Sequence, residues 1–201
     1  MEALFRSWLR VFTSILQAHC SCFETVLLCR SITLSTTETP TDIVAHSGGR
    51  VSVAEASDGN CLFRAIARQA LGDAGLHLRV RAELYAHMTQ YRADYEAWEP
   101  EFDKYVAQQL NSGVWGGELE LKAAAAVYQR SVYAYQPQTD QGATRLTVHR
   151  AQGEGVLYSP LAQVPSPTAQ DICVWYEGRS HWNSLVARVP IVSANSERTG
   201  L

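Results

Sequence analysis

The sequence predicts an α+β domain, with helices packed on a small, mostly antiparallel sheet. Three observations carry the prediction. Between residues 61 and 130 apolar side chains recur at helical spacing. From residue 131 the pattern switches to short runs rich in β-branched and aromatic residues. The helical block precedes the strand block, and 201 residues suffice for one such domain with a real core.

The elements follow in order. Leu4, Trp8, Phe12 and Ile15 stand at helical spacing, and Arg6 and Arg10 precede an apolar run from Val11 to Phe23 that Gln17 and His19 interrupt. That run is too short and too polar to span a bilayer, and it lacks the clean apolar core of a signal peptide. It reads as an accessory helix or a frayed extension, with an amphipathic targeting helix as the alternative. Residues 31–49, rich in Ser, Thr, Pro and Gly, read as a linker, so that residues 1–49 precede a domain at 50–190 and a tail at 191–201.

The domain opens with an alternating strand, Arg50 to Ala54. The loop Ser57-Asp58-Gly59-Asn60 leads into a helix from about Cys61 to Leu71, ended by Gly72. A second helix spans about His77 to Tyr91, with Val80, Leu84 and Met88 four apart. A third follows Pro100, with Phe102, Val106 and Leu110, and stops at the turn Ser112 to Gly117. A fourth, Glu118 to Arg130, carries strong helix formers and the alanine run Ala123 to Ala126. Strands are expected at Ser131–Gln136, Arg145–His149, Ile172–Tyr176 and His181–Ala187, the last two joined by the hairpin turn Glu177 to Ser180.

A formal net charge of -3 and a pI of about 6.1 build no general basic surface, which argues against nucleic acid as a partner. Five cysteines at irregular spacing, Cys20, Cys22, Cys29, Cys61 and Cys173, argue against a secreted disulfide framework and for a reducing, cytoplasmic setting. His19 and the first three cysteines lack a second pair to close a tetrahedral site, so no metal is expected there.

The chemistry gathers at Cys61. Asn60 or Asp58 is placed to cap the helix, and the unpaired amides of its first turn favour a thiolate. The amides of Gly59, Asn60 and Cys61 can point at a developing oxyanion. A buried structural thiol is the plain alternative. A thiol hydrolase also needs a base, and His181 opens the last strand. Asn183, two residues on, shares its face and can reach back to the imidazole. His149 lacks an obvious orienting partner, and His77 and His87 read as helix-surface residues.

The stretch DGNCLFRAI, then WGGELEL at residues 115–121, then HWNS from His181, in that order, resembles the OTU (ovarian tumour) family of cysteine deubiquitinases. The resemblance runs from about Val51 to Val189. Residues 100–125 are most similar to the branch of OTU-domain-containing protein 6, and residues 58–92 also to that of protein 5. The resemblance implies an OTU-like cysteine protease domain with Cys61 as nucleophile, His181 as general base, and Asp58 or Asn183 as the third member of the unit. It implies ubiquitin and ubiquitin-conjugated proteins as partners, a monomer, and no metal or organic cofactor. Trp115, Gly116, Gly117, Glu118 and Trp182 are candidates to hold the ubiquitin tail, with Glu120 a further acidic candidate. Trp182 stands where the family usually has Tyr. An inactive ubiquitin-binding module and a hydrolase of a ubiquitin-like modifier are the alternatives.

Overall fold

The computed structural model describes residues 39–137, 144–151, 156–158, 161–178 and 180–188. The N-terminal helix, Cys20, Cys22, Cys29, Arg179 and the C-terminal tail of the sequence reading lie outside the described residues. The helices are α1 (Thr41–His46), α2 (Cys61–Ala70), α3 (His77–Gln90), α4 (Phe102–Gln109) and α5 (Glu118–Tyr128). The strands are β1 (Val51–Val53), β2 (Val132–Pro137), β3 (Thr144–His149), β4 (Val156–Tyr158), β5 (Ile172–Glu177) and β6 (His181–Val186). They form a six-stranded sheet in the order β1-β6-β5-β2-β3-β4. The β2–β5 pair is parallel and the other pairings are antiparallel. This is the α+β architecture that the pattern predicts.

Alternation along the strands builds a core on each face of the sheet. Val132, Ala134, Ile172, Val174 and Trp182 meet the apolar stripes of α2, α3 and α5, including Leu62, Ile66, Leu84 and Leu121. Tyr133, Tyr135, Cys173, Trp175 and Leu185 form the second core with Ile43 of α1. The alanine run of α5 lets that helix lie close to its neighbours, since Ala123, Ala124 and Ala125 are fully buried.

Two segments depart from the sequence reading, and one is β4, which forms where no strand is expected. The other is residues 41–46, helical where the composition predicts linker. Ile43 anchors the helix, and the His46 ring reaches Tyr135 Oη at 2.9 Å and the Val164 carbonyl at 3.0 Å. Thr39 Oγ1 accepts from the Ser52 amide at 2.7 Å, so the ordered core takes in residues well before Arg50.

Candidate active site

Strand β1 ends beside β6, and the chain then loops across to start α2 at Cys61. Gly59 takes φ +79°, and a Cβ there would lie 1.8 Å from the Gly113 carbonyl oxygen. The nucleophile loop therefore lies backbone to backbone against the turn that precedes α5, and glycine is required. Asn60 occupies the residue before α2, but neither it nor Asp58 caps the helix with its side chain, contrary to expectation. Asn60 Oδ1 instead accepts from the Gly113 amide at 3.0 Å and from Arg81 Nη2 at 2.9 Å. Asp58 accepts from the Asn60 amide at 3.0 Å and pairs with Arg64 at 2.5 Å. The Arg64 hydrogen bond holds its carboxyl well below the usual carboxylate range.

Cys61 is 2% exposed. Burial pushes its thiol above the ordinary value of 9.0, a shift that the amides of Trp182, Leu62 and Cys61 itself partly offset and the Asp58 charge reinforces. This direction runs against the expectation that the helix start favours a thiolate, with desolvation of the buried sulfur as its largest cause. The Trp182 amide beside the sulfur brings β6 against the start of α2. His181 is the preceding residue, at the mouth of the β5–β6 hairpin opposite Glu177.

The His181 ring meets a residue that the sequence reading passed over: Nδ1 lies 3.3 Å from Ser57 Oγ. Among the described residues no hydrogen bond links the imidazole to the Cys61 sulfur, to Asp58 or to Asn183. Asn183 does share the face of His181, but both ends of its amide are engaged. Its Oδ1 accepts from the Glu55 amide at 3.2 Å, and its Nδ2 donates to Glu177 Oε2 at 2.6 Å. Glu55 in turn accepts from Ser184 Oγ at 2.6 Å and from Arg68 of α2 through both carboxylate oxygens, at 2.8 and 3.1 Å. This brace joins the nucleophile helix to the histidine strand. Its members are far apart in sequence, and no local signal marked them.

The residues proposed for the tail path separate into two groups. Trp115 is 42% exposed and Gly116 packs on Phe63 and Leu62, where a Cβ would meet Phe63 at 2.9 Å. Trp182 is buried against Tyr176, ring centroids 4.8 Å apart, and belongs to the core. Glu120 is also buried, and cannot meet a peptide tail: its oxygens accept from the Gly117 amide and from the Tyr85 and Tyr105 hydroxyls. The Glu118 carboxylate, half-exposed, lies 3.1 Å from His149 Nε2, so His149 has the acidic neighbour that the sequence reading did not find. Burial raises the Glu118 carboxyl, but the His149 ring and the Arg145 charge outweigh it and lower it overall. Among the described residues no cluster of three or more His, Cys, Asp or Glu could hold a metal, and no helix is long and apolar enough to cross a membrane.

A family model described as OTU-like cysteine protease matches residues 56–178, ending just before His181. The OTU domain-containing protein 4 of Mus musculus is 33% identical over 100 residues, 49% of this chain and 9% of that protein. The ovarian tumor domain-containing deubiquitinating enzyme 6 of Arabidopsis thaliana is 33% identical over 130 residues, 64% of this chain and 23% of that protein. The chain thus spans less than a quarter of the length of these relatives. Among solved structures, the OTU domain of OTUD1 superposes with a TM-score of 0.56 at 18% identity, covering 72% of this chain and 90% of that one. An OTU deubiquitinase from Wolbachia pipientis wMel bound to ubiquitin gives 0.51 at 14% identity, covering 68% and 95%. At these identities the superpositions establish the fold.

Proposed function

The chain belongs to the OTU-like cysteine protease family, and from that premise we propose that it is a cysteine-type deubiquitinase that hydrolyses isopeptide bonds at the C-terminal glycine of ubiquitin. The observation that supports this best is the meeting of β6 with the start of α2, where the amide next to His181 lies against the Cys61 sulfur. The relative from Arabidopsis thaliana carries the deubiquitinase name, and the Wolbachia pipientis neighbour was solved with ubiquitin bound.

The resting thiol holds its proton, so the reaction starts with its transfer. The imidazole turns from Ser57 toward the sulfur and takes the proton; such contacts are often long in unliganded enzymes and tighten on the substrate. Cys61 Sγ bonds to the carbonyl carbon of the terminal glycine, and the charge moves onto the carbonyl oxygen. The amides of Gly59 and Cys61 face this oxyanion, while that of Asn60 serves it once Asp58 releases the amide. The carbon–nitrogen bond then breaks and the imidazolium gives its proton to the leaving lysine amine. Water attacks the thioester, His181 accepts one of its protons, and the carbon–sulfur bond breaks to return the thiol. Trp115, Gly116 and Glu118 line the approach for the tail, and the chain acts as a monomer in the cytoplasm.

Digestion of a panel of linkage-typed diubiquitins, wild type beside Cys61→Ala, tests the proposal. The wild type is expected to release monoubiquitin and the variant to release none. Association of the wild type with ubiquitin without cleavage would make it a binding module, and cleavage confined to a ubiquitin-like modifier would change the substrate.

A further inference from the structure

Arg81 of α3 is 1% exposed. A guanidinium withdrawn from water loses several kcal/mol of hydration unless acceptors replace it. Among the described residues no carboxylate forms an ion pair with it. Its Nη1 donates to the Gln109 carbonyl at 2.5 Å. Its Nη2 donates to the Val114 carbonyl at 2.6 Å and to Asn60 Oδ1 at 2.9 Å, with the Gly59 carbonyl at 3.5 Å. The Phe63 ring lies 3.7 Å from the guanidinium carbon. Burial lowers the Arg81 guanidinium from its ordinary value, which reflects the cost of keeping a charge there.

The acceptors fall into two sets. Gly59 and Asn60 belong to the loop that delivers Cys61. Gln109 and Val114 flank the turn that leads to α5. The same two segments touch again where Gly59 meets Gly113 and where the Gly113 amide donates to Asn60 Oδ1. A hydrophobic side chain would fill this site at less electrostatic cost, so the cation is best understood by what it orients. A peptide group is planar and trans. With the Gly59 carbonyl turned toward Arg81, the N–H of the same plane, that of Asn60, is turned away, toward the exposed Asp58.

We infer that Arg81 is a positioning residue that clamps the nucleophile loop to the 109–114 segment and thereby sets the direction of the amides beside Cys61. The inference rests on the cysteine-hydrolase reading, and it explains why the DGNC and WGG stretches occur together: the first is oriented through the turn that introduces the second.

The test uses Arg81→Lys, which keeps the charge but offers a single donor centre that cannot span both segments. With ubiquitin carrying a C-terminal fluorogenic amide, kcat is expected to fall roughly 10²-fold with KM unchanged, the cost of a misaligned site. Alkylation of Cys61 by iodoacetamide is expected to stay near the wild-type rate, because the thiol and its helix are untouched. A loosened fold would instead expose the buried thiol and speed alkylation. Asn60→Ala removes the joint between Arg81 and Gly113 while keeping every backbone amide, and should show the same kcat-only loss even where Arg81→Lys does not fold. Tyr105→Phe, which removes one hydrogen bond to Glu120 away from the loop, should retain full kcat. The inference is overturned if a folded Arg81→Lys or Asn60→Ala stays within about threefold of wild-type kcat. Loss confined to KM, or faster alkylation at equal activity loss, overturns it too. A wild type that cleaves nothing removes the function reading itself, whereas active wild type with equally active variants removes only the role of Arg81.

Discussion

Arg68→Met and Glu55→Gln probe the brace between α2 and β6 from its two ends, and their effects should differ in a set order. The Glu55 side chain is 2% exposed and that of Arg68 25%. Removing Arg68 strands a buried carboxylate whose remaining donor is the Ser184 hydroxyl. Breaking a buried pair in this way costs about 3–5 kcal/mol, and the low end applies because Arg68 already lies partly in water. Removing the charge of Glu55 lets Arg68 turn to solvent and weakens the bond to Ser184, a loss of about 1–2 kcal/mol. At about 2–4 °C per kcal/mol for a chain of this size, Tm should fall by roughly 6–12 °C for Arg68→Met and by roughly 2–8 °C for Glu55→Gln. Calorimetry or circular dichroism melts give the values, and turnover of a fluorogenic ubiquitin amide below the melting range should fall in both, since the brace sets how α2 stands against the strand of His181. Equal shifts, or a larger loss for Glu55→Gln, would refute the reasoning that the carboxylate is the buried and dependent partner.

Gly59→Ala should lower kcat by at least about 10²-fold, because the new Cβ meets the Gly113 carbonyl and moves the loop; Gly48→Ala, at φ +73° with open space around it, should leave kcat unchanged. Stability should fall as pH rises from about 9 toward 12, measured by denaturant melts. Burial raises Cys61 above 9.0 and Cys173 and Tyr95 to about 12, so the unfolded chain releases protons there that the folded chain keeps, and stability is full below the unfolded values; unchanged melts through pH 10.5 would contradict this. Asn183→Ala leaves the Glu55 amide without its acceptor and should cost about 1–3 kcal/mol in melts, with the pH profile of kcat/KM unchanged; a shifted profile would make Asn183 the partner of His181 during turnover.

Long periodic segments were legible because burial of one stripe dictates them, and α2, α3 and α5 begin at the residues the pattern selects. Strand β4, three residues, and α1, whose buried contact is Ile43 in a Ser- and Thr-rich run, carry too little periodicity to be seen. In the site, the loop before Cys61 and the strand of His181 were marked by local chemistry. Sharing a face did not guarantee that Asn183 would meet the imidazole, because Glu55 and Glu177 offer its amide better partners. Glu120, at the start of a helix, was taken up by the Gly117 amide it faces and by two tyrosines. Arg81 and Glu55 stayed hidden because a buried charge is defined by partners far along the chain, Ser184 for Glu55 and, for Arg81, carbonyls of the kind every residue carries.

The central claim, that Cys61 attacks the C-terminal carbonyl of ubiquitin, is tested most directly by ubiquitin carrying an electrophile at its C-terminus, with the adduct mapped by peptide mass spectrometry. The account predicts one covalent ubiquitin per chain, attached at Cys61, absent in Cys61→Ala and strongly slowed in His181→Ala. Binding without an adduct, or an adduct that forms at another cysteine and survives Cys61→Ala, would contradict it.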